Sequence, residues 1–236
     1  MNLVLLETKD FIDPDRVVIT GRRFEHLMSV NKIKDRDQLV CGLLNDRIGT
    51  GRITRISDDS LEMTVRLDTD PPKPLPLILV LALPRPKMLK RIIESVTSLG
   101  VKQIYLINSW RVEKSFWQSP WLNADHLRDQ MVLGLEQSRD TILPQIYQRR
   151  FFTRFVTEEL PMMSTDRLCI TAHPKTSTLC PSSVDRETIL VIGPEGGFID
   201  IEVDTLEKQG FLSCHIGPRI LRVETAVTYL ISRLCA

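Results

Sequence analysis

Four prolines fall within seven residues, Asp70-Pro71-Pro72-Lys73-Pro74-Leu75-Pro76. Proline has no amide hydrogen and a fixed φ, so this stretch continues neither a helix nor a central strand. It reads as a linker, 71–76, between a domain over 1–70 and a domain over 77–236. The two sides differ in hydrophobic pattern. Before the prolines, short β-prone runs at 3–8, 16–19, 38–44, 48–56 and 61–67 dominate, several of them alternating in polarity as half-buried antiparallel strands do. A short helix is expected over 22–30. This is the pattern of a small β-barrel or sandwich.

After the prolines, strands and helices alternate. Residues 77–82 form an unbroken apolar run, as in a strand buried on both faces. Leu89, Ile92, Ile93 and Val96 recur at helical spacing within 88–99, and Gly100 is placed to stop that helix. Further strands are expected at 101–107, 168–172, 189–192 and 211–216, and helices at 125–139, 201–209 and 224–234. Such alternation predicts an α/β domain with a mostly parallel sheet covered by helices.

Composition excludes several classes. The net charge is only +1, so a nucleic-acid partner must be met by a local patch. Between Arg16 and Arg55 nine Lys/Arg face four acids, which supplies one; a solvated surface of a small β domain is the plainer reading. Five cysteines are an odd number without a second close-spaced pair, so reduced thiols are expected and no zinc or other metal. No run approaches membrane-spanning length, and the apolar start is too short for a signal peptide.

Two apolar runs end in glycine-proline loops: Ile192-Gly193-Pro194-Glu195-Gly196-Gly197-Phe198 and Ile216-Gly217-Pro218-Arg219-Ile220-Leu221-Arg222-Val223-Glu224-Thr225-Ala226. In open α/β sheets ligands bind at the carboxyl ends of strands. Glycines there permit close backbone approach and positive φ. Neither loop is a dinucleotide fingerprint or a phosphate-cradling loop. A plain tight turn explains the first loop equally well. Arg219, Arg222 and Glu224 clustered at a strand-to-helix junction favour a site, since such charges are costly to bury unpaired; a water-exposed Arg222 paired with Glu224 is the structural alternative.

These motifs carry a resemblance. Pro84-Arg85-Pro86-Lys87-Met88 after a strand, Ser98-Leu99-Gly100-Val101, Leu135-Glu136-Gln137-Ser138-Arg139 and the two closing loops resemble the RsmE-type family of the SPOUT superfamily, which methylates N3 of a uridine in 16S ribosomal RNA. The resemblance implies an N-terminal PUA-like β-barrel that binds RNA and a C-terminal SPOUT α/β-knot methyltransferase domain with a deep trefoil knot. It also implies a cytoplasmic homodimer, ribosomal RNA as partner, and S-adenosyl-L-methionine as cofactor. The cofactor positions it implies are Ala172 and His173; Ile192, Gly193, Pro194, Gly196 and Gly197; Ile216, Gly217, Arg219, Ile220 and Leu221; and Thr225 and Ala226. Backbone groups of Ile192, Gly197, Ile216 and Leu221 are expected at the adenine and ribose. Arg222 is the expected cation for charge spreading onto the uracil oxygens, with Glu195 or Glu224 orienting it or acting as base. Arg22, Arg23, His26, Lys32, Lys34, Arg85, Lys87 and Arg139 are the candidates for RNA contact.

The chain departs from the family at RNA-facing positions. Lys32 stands where an arginine is usual, Glu94 where a lysine is, Ser98 where a glutamate is, and Ser109-Trp110-Arg111 replaces Ser-Glu-Arg. Lysine lacks the bidentate fork of arginine. A methyltransferase of another RNA site, or a non-catalytic RNA binder on the same fold, are therefore the rival readings. Trp110, Trp117 and Trp121 lie in one loop-rich segment, as base-stacking or as packing residues.

Overall fold

The structure is a computed structural model and describes residues 2–235. The chain divides into two compact units: Met1–Lys73 with Met131–Leu143, and Pro74–Gln130 with Pro144–Ala236. The division between residues 73 and 74 falls inside the proline segment. Residues 131–143, which the sequence reading assigned to the C-terminal domain, cluster with the first unit.

The first unit is built on β1 (Val4–Leu6), β2 (Phe11–Asp13), β3 (Arg16–Thr20), β4 (Gln38–Leu43), β5 (Ile48–Ile56) and β6 (Ser60–Thr69). They form one sheet in the order β1-β4-β5-β6-β3-β2, antiparallel except for β1 against β4. Alternation along β5 and β6 puts Ile53, Leu61, Met63 and Val65 into a core with Val4, Leu6, Val17, Ile19 and Leu27. Gly49 allows β5 and β6 to close: a Cβ there would lie 1.8 Å from the Arg66 carbonyl oxygen. Helix α1 (Gly21–His26) continues into a wider π turn, Leu27–Asn31. A second cluster joins Leu3 and Leu5 to Leu135, which explains why 131–143 belongs here.

The second unit carries β7 (Leu77–Ala82), β8 (Gln103–Ile107), β9 (Gln145–Arg149), β10 (Leu168–Ala172), β11 (Thr188–Ile192) and β12 (Leu212–Cys214). The sheet order is β12-β10-β11-β7-β8-β9, and every pairing is parallel. All six residues of β7 and all five of β11 are buried, as central strands of a covered parallel sheet must be. The remaining helices are α2 (Pro86–Ser98), α3 (Ala124–Ser138), α4 (Phe152–Arg154), α5 (Leu160–Ser164), α6 (Asp200–Lys208) and α7 (Val223–Cys235); all lie in this unit except α3, which from Met131 on belongs to the first. α2 starts with Pro86 in its first turn and buries Leu89, Ile92, Ile93 and Val96. It ends as the sequence predicts: Gly100 has φ +92°, its N–H reaches Thr97 O, and Val101 N–H reaches Val96 O. That is a Schellman stop. No helix of the described residues is long and apolar enough to cross a membrane.

Sequence periodicity missed β2, β9 and the helical stretch over 152–164. β9 is an edge strand with half-exposed positions, so Gln-Ile-Tyr-Gln-Arg shows no continuous apolar run. The strand expected over 211–216 is shorter, Leu212–Cys214, because His215 leaves β10 and pairs instead with Leu179.

Candidate functional site

At the carboxyl edge of the parallel sheet the loops after β10, β11 and β12 enclose a cavity of about 310 Å³. That is at the lower end of the range typical of small-molecule sites, about 300–1,000 Å³. Ala172 and His173 line it from the first loop, Ile192, Gly193, Pro194, Gly196 and Gly197 from the second. Ile216, Gly217, Arg219, Ile220 and Leu221 line it from the third, and Ala226 from α7. Thr225 does not; with Glu224 it faces the open groove between α2 and α7.

Local chemistry explains the loop shapes. Gly193 packs so tightly under Phe198 that a Cβ would lie 3.1 Å from the Phe198 amide nitrogen. Gly197 has φ +70° and its N–H closes a turn onto Pro194 O. Gly217, at φ +123°, donates its N–H to His215 Nδ1 at 3.0 Å. Glu202, buried near the start of α6, accepts from its own helix entrance at Ile199 N–H and from Trp110 N–H at 2.8 Å. The Arg111 guanidinium donates to Gly196 O. Sequence reasoning missed Arg111 and the Glu202–Trp110 contact because those partners are remote in the chain; the Ile199–Glu202 cap is a local signal that could have found Glu202. It also left Phe198, Cys214, His215 and Lys175 off the cavity wall, although each adjoins a strand end it had identified.

The proposed catalytic groups separate. Glu195 lines the cavity and its carboxylate accepts the Arg85 N–H at 3.0 Å. Arg222 is exposed at the entrance to α7, and its guanidinium makes no hydrogen bond or ion pair among the described residues. The Arg222–Glu224 pair considered above is thus not formed.

His173 sits half-buried on the cavity wall. Burial, then the charge of Lys175, holds its pKa below the ordinary 6.5, against the smaller pull of Asp200 and Glu207. The folded state therefore binds this proton less tightly than the unfolded chain does. Its contribution to stability is full above pH 6.5 and is lost as pH falls towards the depressed folded value. Chemical denaturation across that window should show a midpoint that drops on acidification more steeply in wild type than in His173→Gln. Equal slopes would show that His173 is not desolvated.

Of the RNA candidates, Arg85, Lys87, Arg139, Lys32, Lys34 and Arg22 are exposed and His26 is half-buried. Arg139 takes φ +57° and ends α3. Arg22 donates to both carboxylate oxygens of Glu136, at 3.1 and 3.0 Å; burial pushes the Glu136 pKa up, and Arg22 pulls it back. Arg23 is turned inward: it holds both oxygens of Asp10 at 2.7 Å and the Leu5 carbonyl. The geometry gives it a structural task, with both terminal nitrogens of its fork committed inside the unit.

A family model for the RNA methyltransferase domain matches residues 71–235. Ribosomal RNA small subunit methyltransferase E of Treponema pallidum is 29% identical over 232 residues, spanning 96% of this chain and 87% of its own. The protein of the same name from Bacillus subtilis is 26% identical over 232 residues, spanning 92% and 88%. Among solved structures, a putative methyltransferase from Legionella pneumophila in complex with SAM has a TM-score of 0.76 at 21% identity, covering 98% of this chain and 95% of that one. Ribosomal RNA small subunit methyltransferase E from Neisseria gonorrhoeae, bound to S-adenosyl methionine, has a TM-score of 0.75 at 18% identity with the same coverage. At these identities the structures speak for the fold, which is α/β. The family match runs from the proline segment to the last turn of α7, and the chain belongs to the RNA methyltransferase domain family, in the RsmE-type branch that its two closing loops resemble.

Proposed function

We propose that this protein is an S-adenosylmethionine-dependent methyltransferase that modifies N3 of a uridine in 16S ribosomal RNA. One observation carries the reading: two glycine-proline loops, adjacent in space but 20 residues apart in sequence, wall a single cavity at the carboxyl edge of a parallel sheet. The wall suits the cofactor. Ile192, Phe198 and Leu230 offer apolar surface to a purine. Among the described residues, the amides of Gly196, Ile220 and Leu221 donate no main-chain hydrogen bond. When bound, the cofactor supplies a methyl group already activated on a sulfonium sulfur.

The residues of the chain then have two tasks. The N3 proton of uracil must leave, and the charge that spreads onto O2 and O4 must be met. Arg222, with an uncommitted guanidinium at the mouth of the third loop, suits the second task. Glu195, on the cavity wall, is better placed than Glu224 for the first. Arg22, His26, Lys32, Lys34, Arg85, Lys87 and Arg139 are read as the RNA-facing set; phosphate contacts of this kind position RNA without reading its sequence.

The same reading takes the first unit, with its mostly antiparallel sheet, as a PUA-like barrel over 1–70, and the second as a SPOUT α/β-knot. Ser183 and Val184 donate to Arg233 O and Leu234 O at 2.9 and 2.7 Å. These bonds hold the end of α7 against the connection between β10 and β11, a contact that suits a knotted C-terminus. The open groove between α2 and α7, with Tyr229 exposed, suits a homodimer. A ribosomal substrate implies a cytoplasmic enzyme.

Calorimetric titration with S-adenosylmethionine tests the reading. Wild type should bind. Gly197→Trp should lose binding by more than about tenfold, because Gly197 lines the cavity and at φ +70° any side chain placed there also strains the loop that walls it. Absence of wild-type binding at millimolar donor, with and without RNA, would remove the methyltransferase reading.

A further inference from the structure

Two of the most exposed large apolar side chains stand at the ends of neighbouring strands. Trp110 follows β8 and is 79% exposed; Phe151 follows β9 and is 73% exposed. β8 and β9 pair in parallel register, and Asn108 N–H bonds Arg149 O at 3.0 Å just beyond them. Both aromatics therefore emerge from one edge of the sheet, the carboxyl edge that carries the cavity.

Each is also tied to the loop that walls the cavity. Trp110 donates its N–H to buried Glu202, which holds the entrance of α6, and its neighbour Arg111 reaches Gly196 O. Next to Phe151, the Phe152 ring packs against the buried Phe198 ring at 5.9 Å between centroids. An exposed indole on a flexible loop would be unremarkable. Here the backbone under it is clamped by a buried carboxylate while the ring is left bare. The surroundings are cationic: Arg111, Lys114 and Arg150 are exposed, and Glu113 is the one acid between Trp110 and Gln118. Trp117 and Trp121 behave differently. They are half-buried and already covered, by Arg150 at 5.4 Å and Lys90 at 3.8 Å from their ring centroids.

We infer that Trp110 and Phe151 form a stacking platform for unpaired bases of single-stranded RNA, flanking the nucleotide presented to the cavity, with Arg111, Lys114 and Arg150 meeting the backbone phosphates. Bare aromatic faces interleaved with cations are the chemistry by which single-stranded nucleic acid is held, since every base has a face to stack and every linkage a charge to meet. The inference rests on the reading of the chain as an RNA methyltransferase and names part of its RNA-binding surface.

The test uses the full chain with a short unstructured RNA oligonucleotide containing one uridine, followed by fluorescence anisotropy, and small-subunit ribosomal RNA for methyl transfer. Trp110→Ala and Phe151→Ala should each weaken RNA affinity, or raise the RNA KM, by roughly 5- to 150-fold. Trp110→Phe should restore most of the loss. Calorimetric affinity for S-adenosylmethionine should stay unchanged in all three. Wild-type RNA affinity and KM in both alanine variants would overturn the platform while leaving the methyltransferase reading intact. A fall in apparent mass of the alanine variants on size-exclusion chromatography would overturn it too, by making the patch a contact between copies of this chain. Failure of the wild type itself to bind donor or transfer methyl would instead remove the functional reading and the platform with it.

Discussion

Arg222→Ala should lower methyl-transfer turnover by about 10²–10³-fold, the usual cost of removing one preorganised group that meets developing charge. Its affinity for S-adenosylmethionine should stay within about twofold of wild type, because the proposed place of the guanidinium is beside the substrate oxygens and Arg222 is not on the cavity wall. The absence of any intramolecular partner matters here. An arginine held in an internal ion pair would unfold something when removed; one exposed and uncommitted should leave the fold alone. Arg222→Lys should recover part of the rate, since it keeps the charge and loses the planar fork. Single-turnover kinetics alongside calorimetry separates these terms. A folded alanine variant that no longer binds donor, or one that turns over at the wild-type rate, would remove Arg222 from the chemistry.

Asp10→Ala should destabilise the protein by about 3–5 kcal/mol, the range for breaking a buried pair from one side. Asp10 is 6% exposed and its partner Arg23 16%. Two 2.7 Å hydrogen bonds join them, and Asp10 also accepts the Glu7 N–H at 2.8 Å. That pairing raises the Arg23 pKa; without Asp10 the guanidinium loses its hydrogen-bonded anion and keeps only the weaker attraction of Glu7 and Glu136. Replacing both partners together, Asp10→Ala with Arg23→Met, should be much milder than either single change, because no charge is then left behind. Urea unfolding of the four proteins completes the cycle. A single variant within about 1 kcal/mol of wild type would mean that water reaches the pair, as at an exposed salt bridge.

The Asp10–Arg23 pair also shows where reading the sequence stopped short. Arg23 lies in the basic stretch, where the sequence predicts RNA contact. Nothing in a string of residues distinguishes a lysine or arginine facing solvent from one folded onto an acid thirteen positions earlier. The same limit applied to Glu202 and Arg111. Glu202 caps the helix that follows the first glycine-proline loop and Arg111 holds that loop at Gly196 O; their partners Trp110 and Gly196 lie 92 and 85 residues away. Thr225 is expected at the cofactor and Glu224 beside Arg222, yet the first turn of α7 rotates both towards α2. Helical periodicity shows which residues share a face, but not which neighbour that face meets.

The sequence alone determined whatever depends on local backbone chemistry. The prolines contain one of the boundaries between the units, Gly100 ends its helix, the unbroken apolar run of β7 lies in a covered sheet, and the two glycine-proline loops sit at strand ends. Each follows from steric limits or from burial of contiguous apolar side chains, and these act between near neighbours. Only the tertiary structure decided what depends on closure over long stretches of chain. It brought three strand ends around one cavity, assigned 131–143 to the first unit through Leu135, turned Arg23 inward, and left Arg222 and Trp110 outside. Those outcomes rest on pairings between segments tens of residues apart, and their energies exist only once the chain has brought the partners together.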